Sequence, residues 1–191
     1  MYLFCLVEKT FVPFRKVFIV LSLLVFSNLL TLQVPETRAQ GVDEGIKLHQ
    51  LANTLMQQGN YTDAESHYLR AHQILENYLG KVHPNVAVNL ASLAKLYQVQ
   101  AKYAEAEPLF KRALEINEKH YGKEHSYVAV NLASLAYLYL IQAQYAEAEP
   151  LFKQAISINE KHYGKEHSYV AAYLLQLGQV YKSQSKFAEA E

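Results

Sequence analysis

Four histidines with carboxylates between them are the first residues that could do chemistry. His120 and His125 are five residues apart, as are His162 and His167, with Glu124 and Glu166 inside the intervals. Imidazole and carboxylate at short spacing can hold zinc, but zinc needs three or four ligands converging on one point. Each pair here spans a glycine-containing loop, so no single helix fixes its geometry. The motif also recurs because the segment carrying it is duplicated, so no metal is expected. Gly122-Lys123-Glu124 lacks the upstream glycine and the Ser/Thr after lysine that a phosphate loop requires. The one cysteine, Cys5, lies near the start of the chain, and no Ser-His-Asp arrangement stands out. These residues predict no catalytic site and no cofactor. Lys+Arg and Asp+Glu number 18 each over 191 residues, so the charge surplus expected of a nucleic-acid binder is missing.

The histidines belong to a repeat. Residues 83–124 and 125–166 are identical at 33 of 42 aligned positions. A fixed period of this length means one supersecondary unit stacked on copies of itself, each touching only its neighbours. Function is then expected on an extended surface rather than in a closed pocket.

Each unit reads as two helices. Leu90, Leu93, Ala94 and Tyr97 fall at i, i+3, i+4 and i+7, one face of a helix, with Pro84 at a favourable starting position. Gln100 to Tyr103 interrupts that pattern. A second stripe runs through Ala106, Leu109, Phe110, Ala113 and Ile116, and Gly122 is expected to end it as a left-handed cap. Helices joined by so short a turn lie antiparallel with their apolar stripes facing. Ala94, Ala106 and Ala113 let the backbones approach, and Tyr97, Tyr103 and Phe110 fill the space between them. Pro108 inside the second helix removes one backbone bond and recurs as Pro150. Glu107–Lys111 and Glu149–Lys153 are i,i+4 pairs on the exposed side, each contributing a few tenths of a kcal/mol.

Stepping by 42 in both directions extends the columns. Leu48, Leu90, Leu132 and Leu174 are equivalent. So are Ala52, Ala94, Ala136 and Gly178, then Tyr61, Tyr103, Tyr145 and Phe187, then Tyr68, Phe110 and Phe152. The units are 41–82, 83–124, 125–166 and a partial 167–191. These columns resemble the tetratricopeptide repeat, and the period together with the wording AEAEPLFKRALEI…YG…HP resembles its kinesin-light-chain-like subclass. Chains with such repeats and a leader are similar to secreted repeat proteins of bacteria.

The resemblance implies an all-α fold, a right-handed α-solenoid of antiparallel helix pairs whose first helices line a concave groove. It also implies a protein or peptide ligand. By the family's spacing the partner-binding positions are Asn53 in unit one and Lys95, Gln98 and Val99 in unit two. Tyr137, Leu140 and Ile141 follow in unit three, and Gln179 in unit four. The groove substitutions from unit two to unit three are Lys95 to Tyr137, Gln98 to Leu140 and Val99 to Ile141, so the unit-three groove is expected to be apolar and to anchor an apolar side chain. Relatives often clamp the ligand backbone with a groove asparagine. Here Ala-Ser stands in that place, and Asn89 and Asn131 sit about one turn earlier.

Residues 1–39 stand apart from the array. Val17 to Leu32 is uncharged, follows Arg15 and Lys16, and leads to a small residue at Ala39. These are the parts of a secretory signal peptide. Sixteen residues rise only ~24 Å, short of the ~30 Å hydrocarbon core, which weighs against the rival reading of a membrane anchor at 17–32. Either way the array is expected outside the cytoplasm, with membrane contact only if the leader is uncleaved. At the other end, Phe187 to Glu191 matches the start of a second helix. Leu174, Leu177 and Tyr181 are therefore expected to be uncovered, either because the chain is a piece of a longer protein or because its end self-associates. Similar bacterial repeats also run into caspase-like CHAT protease domains, so a recognition arm of a larger enzyme is the alternative reading.

Overall fold

The computed structural model describes residues 38–184. The chain divides into two units, 1–43 and 44–191. Of the first, only residues 38–43 are described, and they are helical. The leader expected at 1–39 therefore lies almost wholly outside the described residues. Among those that are described, no helix is long and apolar enough to cross a membrane.

Seven helices follow one another among the described residues. They are α1 (38–57), α2 (Tyr61–Leu79), α3 (Pro84–Val99), α4 (Tyr103–Tyr121), α5 (Ser126–Ile141), α6 (Tyr145–Tyr163) and α7 (Ser168–Ser183). α3 packs chiefly on α4 and α5 on α6, while α2–α3, α4–α5 and α6–α7 join consecutive pairs. Every partner is thus close in sequence, as the repeat requires. The alanines of the pattern, Ala94, Ala106, Ala113, Ala136, Ala148 and Ala155, are completely buried where the helices come closest. Tyr68, Phe110 and Phe152, one per pair, fill the remaining interior at no more than 2% exposure. Losing such a ring to alanine costs about 3–5 kcal/mol, because the cavity adds to the lost transfer energy.

Between pairs the contacts are polar and periodic. The Tyr97 hydroxyl of α3 donates to Glu65 of α2 at 3.0 Å, and Tyr139 of α5 donates to Glu107 of α4 at 2.9 Å. Lys102 reaches Glu65 at 3.4 Å and Lys111 reaches Glu107 at 2.6 Å. The i,i+4 pair thus also holds the carboxylate that receives the next unit's tyrosine. Burial first, and the Glu65 bond second, push the Tyr97 hydroxyl up to about 12. Deeper in, Asn117 of α4 donates to Asn131 of α5 at 2.6 Å, both buried. The corresponding pairs are Leu75 with Asn89 and Asn159 with Tyr173.

The turns correct one expectation. The left-handed residues are not the glycines after the second helices but Gly59 (φ 77°), Ala101 (φ 58°) and Ala143 (φ 57°), after the first helices. There Lys102 N–H donates to Tyr97 C=O at 2.8 Å and Ala101 N–H to Gln98 C=O at 3.0 Å. That double closure needs a left-handed residue. Gly122 instead has φ 85° and ψ 158°, an extended positive-φ conformation that belongs to glycine alone. The next helix starts four residues later, at Ser126. Gly80 and Gly164 adopt the same conformation.

The histidine after each of these glycines is a helix cap. His83, His125 and His167 Nδ1 accept the backbone N–H of Asn85, Tyr127 and Tyr169 at 3.1, 3.2 and 3.3 Å. His125 stacks on Tyr121 of the preceding unit with ring centres 4.6 Å apart and faces His162 of its own unit at 6.0 Å. Among the described residues, no three His, Cys, Asp or Glu side chains converge as metal ligands.

At α7 the expected uncovering holds in part. Leu174 is 49% exposed, whereas its equivalents Leu90 and Leu132 are at 1% and 2%. Leu177 and Tyr181, expected to be uncovered with it, are buried in the core. Both face the interior of the stack rather than the side on which a following unit would pack.

Candidate functional site: two hollows along the first helices

Because each pair buries its second helix's aromatic inward, the first helices are left to form a wall. Two hollows open along that wall. The first, about 420 Å³, lies between α1 and α3, with Asn53, Met56 and Gln57 on one side and Ser92, Lys95 and Val99 on the other. Tyr61 and Tyr68 of α2 close it. The second, about 500 Å³, lies between α3, α5 and α7. Its floor is Phe110 and Phe152, and its walls include Val130, Tyr137 and Tyr173. Lys95, Gln98 and Gln176 stand among its polar residues.

Lys95 is the single charged residue among those lining either hollow, and it lines both. A cation with no carboxylate beside it in the groove favours an anionic ligand group over a cationic one. Apolar floor plus a few placed polar groups is the usual composition of a binding site.

The sequence-derived positions divide. Asn53, Lys95, Gln98, Val99 and Tyr137 line the hollows. Leu140, Ile141 and Gln179 line neither. Leu140 packs partly against the core, and Ile141 is 37% exposed near the end of α5. Tyr173 and Val130 are lining residues that the spacing argument missed. Tyr173 had a signal, for it breaks the Asn89–Asn131 column. Its hydroxyl pKa is raised, mainly by burial.

Asn89 and Asn131, about one turn before the family's clamp position, are buried between units at 0% and 4% exposure and line neither hollow. The asparagine that reaches the groove is Asn53. Its Oδ1 accepts the Tyr68 hydroxyl at 2.5 Å, and its Nδ2 lies 3.1 Å from His49 Nε2. Burial raises the Tyr68 pKa and lowers that of His49.

Consecutive antiparallel helix pairs with an open groove along the first helices define an α-solenoid of the binding-scaffold class. The tetratricopeptide repeat profile matches the chain three times, over residues 43–119, 91–161 and 127–191. The chain belongs to the tetratricopeptide repeat family. BtubC (BKLC) from P. vanneervenii is a similar solved structure, with a TM-score of 0.70 and 24% identity over 75% of this chain. This chain spans 57% of that protein's length. A Podosopora anserina protein of the kinesin-light-chain type, with nearly identical TPR-like repeats, has a TM-score of 0.69 and 26% identity. That match covers 75% of this chain and 68% of the other. Aspartyl phosphate phosphatase F from Bacillus subtilis shares the fold at 20% identity and a TM-score of 0.69, over 85% of this chain and 41% of that one. No curated protein sequence matches the chain. Repeats of this family are generally non-enzymatic scaffolds suited to protein–protein interaction.

Proposed function

We propose that the wall of first helices is a groove that binds a segment of another protein, with an apolar side chain seated in the second hollow and an acidic group near Lys95. The observation that carries this is the second hollow itself. About 500 Å³ over two phenylalanine rings is room for one large side chain with ordered backbone around it. Tyr137, 42% exposed at its wall, is the anchor residue, and Lys95 is the charge that sets ligand polarity. Asn53, Gln98 and Val99 complete the contact surface.

Selection of peptides from a random library against the protein tests this. Peptides enriched on the wild type should carry an apolar residue next to Asp or Glu, and Tyr137→Lys should weaken them at least tenfold. Lys95→Glu should reverse their charge preference. Enriched peptides that bind both variants as tightly as wild type would refute the groove reading.

We place this activity outside the cytoplasm on the composition of residues 1–39. N-terminal sequencing of the exported chain should begin at Gln40. An intact leader on a cytoplasmic protein would overturn the placement. A second contact surface is carried by Leu174 and Leu175 on α7, 49% and 65% exposed. The first sits where its equivalents Leu90 and Leu132 are covered by the following helix pair, so we infer that the surface takes another helix pair of the same repeat type, from further sequence or from a second copy of this chain. Leu174→Lys should abolish any self-association seen by sedimentation; a dimer that survives it would refute the role of this residue.

A further inference from the structure

His49 has a partner on each ring nitrogen. Nε2 is 3.1 Å from Asn53 Nδ2, one turn along α1. Nδ1 is 3.2 Å from the side-chain amide of Asn89 on α3. Asn53 Oδ1 accepts the Tyr68 hydroxyl of α2 at 2.5 Å, and the Tyr68 ring centre lies 5.6 Å from the imidazole. Four side chains thus form one line across three helices, and Asn53 and Tyr68 end it at the first hollow.

Counting protons gives the line a direction. Neutral imidazole has one N–H, and an amide nitrogen is only a donor. Asn53 uses its oxygen for Tyr68, so its nitrogen faces Nε2, and Nε2 must be the acceptor. The imidazole hydrogen is then on Nδ1 and needs an acceptor in turn. Asn89 Oδ1 is buried without a hydrogen-bond partner when the Nδ2 side meets the ring. Turning that amide so that Oδ1 faces Nδ1 satisfies both groups. The line then reads Tyr68 O–H to Asn53, Asn53 N–H to His49 and His49 N–H to Asn89.

We propose that His49 is a proton-operated positioning residue of the groove: on protonation it turns the Asn53 amide over and so changes what the first hollow presents to a ligand. This rests on the groove reading above. Imidazolium has two N–H groups and no acceptor. Its Nε2–H meets the Asn53 donor head-on. Half a turn of the Asn53 amide puts Oδ1 on Nε2–H and Nδ2 on the Tyr68 oxygen. The Tyr68 hydrogen, now displaced, swings toward Ser92, with which the hydroxyl already interacts. One proton at His49 thereby rearranges donors and acceptors along the groove wall, while the helices stay in place.

The surroundings supply no competing charge. From α2 the ring is faced by Tyr68 and Leu75, and from α3 by Asn85, Val88 and Asn89. On α1 its neighbours are Ile46 and Asn53. The charged groups nearby on α1 and α2 are engaged: Glu44 with Arg70 at 2.7 Å, and Glu76 with His72 at 3.4 Å and with Arg112. Lys47 is exposed. Tyr68 stays neutral at every relevant pH, since burial raises its pKa. Burial alone lowers the His49 pKa, so the switch operates below the ordinary imidazole value of 6.5.

Nitrogen NMR on the ¹⁵N-labelled chain tests this without any ligand. At pH 7.5 the His49 ring should report hydrogen on Nδ1 and an acceptor at Nε2. On titration to pH 4.5 the Asn53 side-chain amide should shift in one step, with the His49 midpoint, below 6.5. His49→Gln should remove that step. Hydrogen on Nε2 at neutral pH, an Asn53 amide that does not move, or a step that survives in His49→Gln would each overturn the proposal. If His49→Gln does not fold, the ring tautomer and the Asn53 titration of the unaltered chain decide. Failure of the groove reading would appear in the peptide selection and leave this titration intact.

Discussion

Replacing Ala101 and Ala143 by glycine should stabilise the array. Both alanines close a first helix with φ near 58°, a conformation that costs an L-residue about 1–2 kcal/mol because Cβ crowds the following carbonyl. Gly59 holds the same place in unit one without that cost. Both methyls are exposed, and a Cβ built on Gly59 meets nothing within 4 Å, so little packing is lost with them. Against the gain stands the greater freedom of glycine in the unfolded chain, about 0.4–1 kcal/mol. The balance is roughly 0.5–1 kcal/mol per site in favour of glycine. The sites are one repeat apart and share no partner, so the double variant should gain roughly 1–2 kcal/mol. Urea unfolding followed by helical circular dichroism should show a raised midpoint at unchanged slope. Gly59→Ala should lower the midpoint by a similar step. A midpoint that falls in the double glycine variant would refute the reasoning, since it would mean that the strain had been assigned to unstrained residues.

The buried pair Asn117–Asn131 predicts non-additivity. Asn117→Leu alone strands Asn131 and should cost about 1–3 kcal/mol, while the double Leu variant should recover most of it; a double-mutant cycle in urea checks this. Tyr139→Phe removes the bond to Glu107 and should cost about 1 kcal/mol, with Glu107→Gln adding little on top. Stability should also fall with acid. His49, His72 and His83 have pKa values lowered chiefly by burial. Below pH 6.5 the unfolded chain therefore binds more protons than the folded one. Their contribution is complete above that pH and is lost as pH drops beneath it. Thermal melts from pH 7.5 to 5 should show the decline, and the combined His49→Gln, His72→Gln and His83→Asn variant should flatten it.

Much of this was legible because the helix period and the repeat period are both local signals. Leu90, Leu93, Ala94 and Tyr97 declare one face whatever surrounds them, and Pro84 and Gly122 mark the helix ends. The backbone type at those ends was less legible. A glycine marks a place where φ can be positive without saying which positive-φ conformation is used, and Ala101 gave no sign except through Gly59 in its own column. What the histidines do was not legible, because residue type is visible and direction is not. His83, His125 and His167 turned out to accept backbone N–H groups at helix starts.

By itself the sequence determined that the chain is a stack of helix pairs and which residues fill each pair. Local periodicity suffices for that, since each unit repeats the same burial problem. Only the tertiary structure decided which surface residues share a hollow. Tyr137 faces the same space as Lys95 and Tyr173, while Leu140, about one turn of α5 away, lines neither hollow and packs partly against the core. That assignment depends on how neighbouring helices are rotated against one another. The rotation is set by contacts between units, such as Tyr97–Glu65 and Asn117–Asn131, that no single helix encodes.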